Sequence, residues 1–335
     1  MASLPPGLIV RTGKFIWTTL WRQMMARLAP RDPQGNYVRP ESEFRQGLGP
    51  GTERPDVPTP GRYGLIVGLG CPWAHRTLVT RVLKGLEEAI PVILVQPSPD
   101  EGIWVFQQPF LGCRSLPELY QRAQPGYQGR STVPVLWDNQ RQTIVNNESA
   151  DIIVILNQAF NAVAHYPQRD LYAEPLRPEI ERWNAKIYPA VNNGVYRCGF
   201  AQTQAAYDQA CADLFAVLAE IDQTLAQRRY LCGDAVTLAD VRLFTTLFRF
   251  DAVYYGLFKC NRRRIVDYPH LGPYSRDLYQ LPGVASTCDL DAVKADYYGN
   301  LFPLNPGGII PAGPDMASWL MPHGRERLSQ SPASL

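Results

Sequence analysis

The stretch Gly68-Leu69-Gly70-Cys71-Pro72-Trp73-Ala74-His75-Arg76-Thr77 constrains this chain more than any other. It runs an apolar segment, Leu65-Ile66-Val67, into a helix with a cysteine at the junction. The partly β-branched run reads as a buried strand, and Pro72 suits a first helical position because the N–H it lacks has no helical partner there. Cys71 therefore stands at or beside a helix N-cap, where unpaired backbone N–H groups and the positive end of the helix dipole favour an anion. This context predicts a thiol that ionises more readily than the roughly 8.5 of a free cysteine, with His75 and Arg76 one turn on adding positive charge. The alternative is a small apolar cysteine filling space beneath a helix. Ala74 occupies the place where a Cys-x-x-Cys dithiol has its second cysteine. Any redox chemistry here is monothiol, with the second thiol brought from outside the chain.

Composition limits what can surround this motif. A chain of 335 residues, 45% hydrophobic and 19% charged, reads as globular and is long enough for two ordinary domains. Its 33 Lys and Arg nearly balance 31 Asp and Glu, so no strong global field recruits nucleic acid or an anionic membrane. The run Arg262-Arg263-Arg264 lacks interleaved aromatic residues and reads as a solvated face. Seven cysteines, at 71, 113, 198, 211, 232, 260 and 288, are odd in number and unpaired in spacing, which suits a reducing, cytoplasmic setting. Four scattered histidines suggest no metal site. No run approaches the roughly 18 apolar residues of a membrane span. The N-terminus, basic and mildly apolar as far as Leu28, lacks the apolar core and cleavage site of a signal peptide.

Taken in order, the chain divides into an N-terminal arm over residues 1–61, a thioredoxin-like domain over 62–165, an all-helical domain over 175–300 and an irregular tail over 301–335. A short amphipathic helix is expected from Phe15 to Leu28, followed by a Pro-, Gly- and Arg-rich segment that needs anchors such as Tyr37, Phe44 and Tyr63. Leu65 to Leu69, Pro72 to Leu86 and Pro91 to Val95 read as strand, helix and parallel strand. Val133-Pro134-Val135-Leu136-Trp137 and Gln142-Thr143-Ile144-Val145 flank a polar turn as an antiparallel hairpin, and a helix starts near Ser149. This is the βαβ then ββα order of a thioredoxin-like domain. Between the halves, residues 96–132 read as a long loop insertion. Further on, Ala210, Leu214, Val217, Leu218, Ile221 and Leu225 mark one face of a long helix, and Thr237 with Asp240 forms a capping box of structural purpose.

A thioredoxin-like domain followed by a helical one carrying Tyr230-Leu231-Cys232-Gly233 and Thr237-Leu238-Ala239-Asp240 resembles the glutathione transferases. The cysteine motif, Thr132 to Asp138, Asn147-Glu148-Ser149, Asn192-Asn193-Gly194-Val195-Tyr196 and Phe248-Arg249-Phe250-Asp251-Ala252-Val253-Tyr254 narrow the resemblance to the glutathionyl-hydroquinone reductases, or Xi-class glutathione transferases. It spans about residues 13–315.

The resemblance implies glutathione as co-substrate, no metal, a glutathionylated aromatic hydroquinone as partner and a homodimer formed through the helical domain. Val133, with Pro134 cis, would offer its backbone to the cysteine of glutathione. Glu148 and Ser149 at a helix start suit its ammonium and carboxylate, with a plain N-cap pair as the alternative. Trp104 and Arg114 fall where further glutathione contacts are implied, although Arg130 competes with Arg114. Tyr196, Tyr254 and Tyr297 would face the quinol, stacking on its ring and donating to its oxygens. The implied reaction passes through a Cys71–glutathione mixed disulfide. Asp296 stands where the family often has histidine, and Gly299-Asn300-Leu301 replaces a Ser-His ending, which bears on the shape of the quinol pocket. An Omega-type thiol transferase or dehydroascorbate reductase acting through Cys71 is a second reading, and a non-catalytic interaction module a third.

Overall fold

Before its first strand the chain forms a long helix, α1 (Pro6–Leu28), and an extended arm. The computed structural model describes residues 5–329, so the outermost ends of the expected arm and tail, 1–4 and 330–335, lie outside the described residues. Helix α1 begins well before the expected Phe15, because Pro6 starts it favourably while Gly7 and Gly13 dilute the helical signal without breaking it. The arm is tied down by hydrogen bonds and ion pairs, among them Arg45 with Asp151 and buried Arg54 with Asp138, and by aromatic rings. Tyr37 packs edge-on against Phe200 at 5.3 Å, and Phe44 against Tyr120 at 5.6 Å. Tyr63, expected as a third anchor, belongs to the first strand and packs on Phe160 instead.

The sheet grows from β1 (Tyr63–Val67), whose five residues are all buried. Helix α2 (Pro72–Lys84) crosses over to β2 (Val92–Pro97), which pairs parallel to β1 as expected. The segment read as a loop insertion is folded. It supplies β3 (Trp104–Phe110), β4 (Cys113–Ser115) and α3 (Leu116–Ala123). The strand alternation there is interrupted by a bulge between Val105 and Phe110 and a left-handed Leu111, which hides the period-two signal in sequence. The hairpin β5 (Val135–Asp138) and β6 (Thr143–Asn146) leads into α4 (Ser149–Gln158). The resulting order is β4-β3-β2-β1-β5-β6, with β1–β2 the parallel pair.

The second half consists of α5 (Arg177–Ile187), α6 (Gly194–Gly199), α7 (Gln204–Leu225), α8 (Leu238–Arg249), α9 (Leu271–Tyr279) and α10 (Leu290–Asn300). Two wide π-helical turns, Tyr188–Asn192 and Phe250–Tyr254, lie just before α6 and just after α8. Asp240 caps α8 and does more than the expected box. Fully buried, it accepts from the Thr237 N–H at 2.8 Å, the Leu231 N–H at 2.9 Å and the Tyr274 hydroxyl at 2.7 Å, which fixes the preceding loop and α9. Helix α2 packs between α4 and α8, so the Cys71 junction opens where the two halves meet.

Candidate active site

Cys71 is the N-cap of α2, in extended conformation, with its carbonyl accepting from the His75 N–H at 3.0 Å. Its Sγ lies 3.8 Å from the Val133 carbonyl oxygen, and the Val133–Pro134 bond is cis. Burial pushes the thiol up, against the expectation of a lowered value. The N–H groups of Ala74 and Trp73 and the cations Arg39 and Arg249 act in the expected downward direction, but the removal of solvent outweighs them.

The positive charge beside the thiol does not come from His75. That ring is buried and is held well below its ordinary value by loss of solvent, with Arg249 adding to the effect. An arginine can only donate, so the 2.8 Å contact from Arg249 Nη1 makes His75 Nδ1 the acceptor. His75 Nε2–H then donates to Thr287 Oγ1 at 2.9 Å, and the imidazole is neutral.

Arg249 is the centre of this arrangement. It is buried at the end of α8, and its guanidinium donates to the carbonyls of Gly70 at 2.9 Å, Leu69 at 3.0 Å and Thr245 at 3.0 Å. One side chain of the helical half thus holds the two residues that precede Cys71. Arg76, also buried and lowered to about 9 by desolvation, donates to Asn192 Oδ1 at 2.6 Å and Ser149 Oγ at 3.4 Å. The guanidiniums of Arg76 and Arg39 lie 4.4 and 4.0 Å from the Trp73 ring. Sequence reasoning assigned no role to Arg39, Asn192 or Arg249. The last two lay within quoted motifs but served there only as context for tyrosines.

The other candidates fall into two groups. Glu148 is the N-cap of α4, accepting from the Ala150 N–H at 3.0 Å and the Ser42 hydroxyl of the arm at 3.0 Å, and buried Ser149 follows it. Both sit beside Arg76 at a helix N-terminus, an arrangement able to receive an anion. Trp104 starts β3 and lies over Gly68, where an added Cβ would fall 2.3 Å from the ring. Arg114 is exposed on the edge strand β4, and Arg130 is exposed on a loop, its carbonyl accepting from the Tyr127 hydroxyl.

Tyr196, Tyr254 and Tyr297 do converge, from α6, the π-turn after α8, and α10. Their hydroxyls form one chain, Tyr254 to Tyr297 at 2.9 Å and Tyr297 to Tyr196 at 2.5 Å. Tyr196 stacks on Trp73, two residues from the cysteine, with ring centroids 6.2 Å apart. Burial raises all three phenols, Tyr254 to about 12, so they remain protonated donors at neutral pH. The two π-turns set the angular positions of Tyr196 and Tyr254, a device common at functional sites and invisible in residue pattern. Beside Tyr297, Asp296 packs so closely on Gly70 that a Cβ there would meet its Oδ2 at 1.9 Å. It lines a cavity of about 280 Å³ together with Leu69, Gly70, Trp104 and Gln107. Burial pushes its carboxyl up to about 6, with Arg249 and Asn300 acting in the opposite direction. Among the described residues no group of acidic, histidine or cysteine side chains is placed to hold a metal.

The family models for the glutathione S-transferase N-terminal and C-terminal domains match residues 70–159 and 204–277. The chain is 45% identical to the glutathionyl-hydroquinone reductase PcpF of Sphingobium chlorophenolicum, over 89% of this chain and 94% of that protein. It is also 45% identical to the glutathionyl-hydroquinone reductase YqjG of Escherichia coli, over 87% and 93%. The glutathione-bound structure of YqjG superposes with a TM-score of 0.79 at 44% identity, covering 85% of this chain and 96% of that one. The Xi glutathione transferase of Phanerochaete chrysosporium does so with 0.82 at 41%, covering 87% and 96%. With a cysteine at the α2 N-cap, a cis-proline strand opposite it and this extent of identity, the chain belongs to the glutathione transferase family, among the Xi-class glutathionyl-hydroquinone reductases.

Proposed function

We propose that the protein reduces glutathionyl-hydroquinones to free hydroquinones at the expense of glutathione. The observation that carries this reading is the three-phenol cluster built against Trp73 and reaching toward Cys71. A disulfide exchanger needs only a thiol and a glutathione site. A chain of three protonated phenols in an aromatic wall fits a substrate with ring oxygens that gain electron density as a carbon–sulfur bond breaks.

The Cys71 thiolate attacks the sulfur of the glutathionyl-hydroquinone. The sulfur–carbon bond breaks, its electron pair passes to the ring carbon, and that carbon takes a proton, giving free hydroquinone and a Cys71–glutathione mixed disulfide. A second glutathione, as thiolate, attacks the glutathione sulfur of the disulfide, releasing glutathione disulfide and returning Cys71. The balance is one glutathionyl-hydroquinone plus one glutathione to one hydroquinone plus one glutathione disulfide. An aromatic carbanion is a poor leaving group, so hydrogen bonds from Tyr196, Tyr254 and Tyr297 that favour a keto-like ring lower the barrier where charge develops. In this reading Val133 pairs with the glutathione backbone, while Glu148 and Ser149 hold its γ-glutamyl end. Trp104 packs against the tripeptide, and Arg114 reaches its glycine carboxylate.

Burial raises the free Cys71 thiol. A glutathione sulfur is nevertheless attacked by the thiolate fraction alone, so Arg249 and Arg39 act by keeping that fraction from falling further. We also propose a homodimer assembled through the helical half, in a reducing cytoplasm. All seven free cysteines accord with that setting.

Turnover of glutathionyl-menadiol with excess glutathione, followed by chromatography of menadiol, tests the assignment. The native chain is expected to release menadiol and the Cys71→Ala variant to release none. Reduction of a simple glutathione mixed disulfide by native protein that leaves glutathionyl-menadiol untouched would replace this reading with the thiol-transferase one.

A further inference from the structure

Helix α1 takes no part in the site described above, yet its composition and placement are unusual for a helix on a water-soluble body. Residues 5–20 are exposed without interruption. Within them Ile9 is 57% exposed, Val10 54%, Ile16 53% and Trp17 45%. A surface helix ordinarily turns such side chains toward a core, and α1 does so only near its end, where Met25 is fully buried and Trp21 and Leu28 rest on the helical half. The rest extends from a fixed base. Trp17 meets Phe302 of the tail edge-on at 6.4 Å, and Phe302 is itself half exposed, so the apolar patch continues onto the tail.

The exposed residues are sorted by face. At 3.6 residues per turn, Arg11, Lys14 and Arg22 fall within a sector of about 80°, and the exposed apolar residues lie outside it: Ile9, Val10, Ile16, Trp17 and Leu20 within about 120° on the other side, with Leu8 and Phe15 on the flank next to Arg22. The charge is as one-sided as the apolarity. Arg11, Lys14, Arg22, Arg27 and Arg31 all precede the first acidic residue of the chain, Asp32. The nearly balanced net charge of the whole protein therefore hides a cationic apolar segment at one end.

We propose that α1 is a membrane-surface helix that lays its apolar sector in the interface of an anionic lipid bilayer and holds the enzyme at that surface. Cations on one face with a tryptophan and aliphatic side chains on the other are the pattern of helices that lie in the bilayer interface. Among the described residues no helix is long and apolar enough to cross a membrane, which agrees with a helix that lies on it. Charge complementarity selects this occupant: five basic residues precede the first acidic one, and anionic headgroups supply the counter-charge that a second copy of the same segment, without an acidic residue of its own, does not. Each cation near such a surface strengthens binding about fivefold, and the apolar side chains add burial to that attraction.

The test is co-sedimentation of the full chain with phosphatidylcholine vesicles containing or lacking phosphatidylglycerol, at low and high salt. Native protein is expected to sediment with the anionic vesicles, less so at high salt, and to stay in solution with the neutral ones. Arg11→Gln with Lys14→Gln should weaken partitioning about 25-fold. Ile9→Gln with Ile16→Gln should weaken it on the order of tenfold or more. Both pairs are exposed and none of the four residues belongs to the site described above, so turnover of a water-soluble glutathionyl-hydroquinone is expected to remain native in either variant. The proposal is overturned if native protein ignores the anionic vesicles, or if it binds them equally in both variants. An isoleucine variant that dissociates an oligomer, without native vesicle binding, would assign the face to a second copy instead.

Discussion

The proposed glutathione side and the phenol side of the cleft are built in opposite ways. On the first, short local motifs do the positioning: a cysteine before a proline, a residue before a cis-proline, a carboxylate and hydroxyl at a helix start. Their geometry is set within a few residues by backbone chemistry, and the groups presented are largely main-chain dipoles. On the second, Tyr196, Tyr254 and Tyr297 come from three elements spread over 101 residues and meet only through packing. Binding a tripeptide common to many enzymes suits the first construction, and shaping a pocket for a particular ring suits the second. Arg249 bridges the two, since it leaves the end of α8, five residues before the π-turn reaches Tyr254 at its close, and holds the carbonyls of Leu69 and Gly70.

The largest expected effect comes from removing that bridge. Arg249→Met leaves the Leu69, Gly70 and Thr245 carbonyls without their donor in a buried seam, and about 3–5 kcal/mol of stability should be lost. Urea unfolding of native and variant protein measures it. A loss below about 1 kcal/mol would mean that the two sides are held together elsewhere.

Next in size is Tyr297→Phe. Its hydroxyl stands between the other two, so its removal breaks both phenol hydrogen bonds at once. A fall in kcat of about 10²-fold is expected, with the KM for glutathione within about twofold of native. Equal losses in both constants would dissolve the distinction between the two sides. Glu148→Gln is the converse. Removal of its charge should raise the glutathione KM about tenfold while kcat at saturation stays near native, because the γ-glutamyl ammonium is far from the bond that breaks. The sign of that split, read from steady-state kinetics, distinguishes a binding carboxylate from a mere cap.

The same division decides what was legible in the chain. The strand–Cys71–Pro72 junction, the parallel β1–β2 crossover, the hairpin and the long α7 could be read because each is dictated within a short window. The strands β3 and β4 were missed because a bulge and a left-handed Leu111 break their alternation. His75 reads as a cation from its place one turn beyond Cys71, but its surroundings are set by Arg249, Thr287 and Cys288, far along the chain, and burial reverses that reading. The Cys71 thiol went the same way: the N-cap donors were foreseeable, and the depth of the cleft was not. Of the phenol side, sequence offered motif context for each tyrosine but neither the hydroxyl chain nor the π-turns that align it.

The smallest effect falls at the seam itself, on Asp296. Its carboxyl touches Gly70 on one side and neighbours Tyr297 on the other, and burial raises it from an ordinary 3.8 to about 6. A carboxyl raised in the folded state is favoured there in its protonated form, so the native protein binds more protons than the unfolded chain between those two values. Stability is therefore lost as pH rises from about 4 through about 6, and the full cost is present above that. The shift corresponds to about 3 kcal/mol at most, and because the side chain keeps some contact with water about 1 kcal/mol is the reasonable expectation. Asp296→Asn removes the ionisation and keeps the shape. Unfolding midpoints of the two proteins should coincide near pH 4, and the variant should be the more stable near pH 8, by the amount of the missing charge. A constant difference at both pH values would mean that Asp296 contributes through its hydrogen bonding alone, and that the seam between the two sides carries no titrating charge.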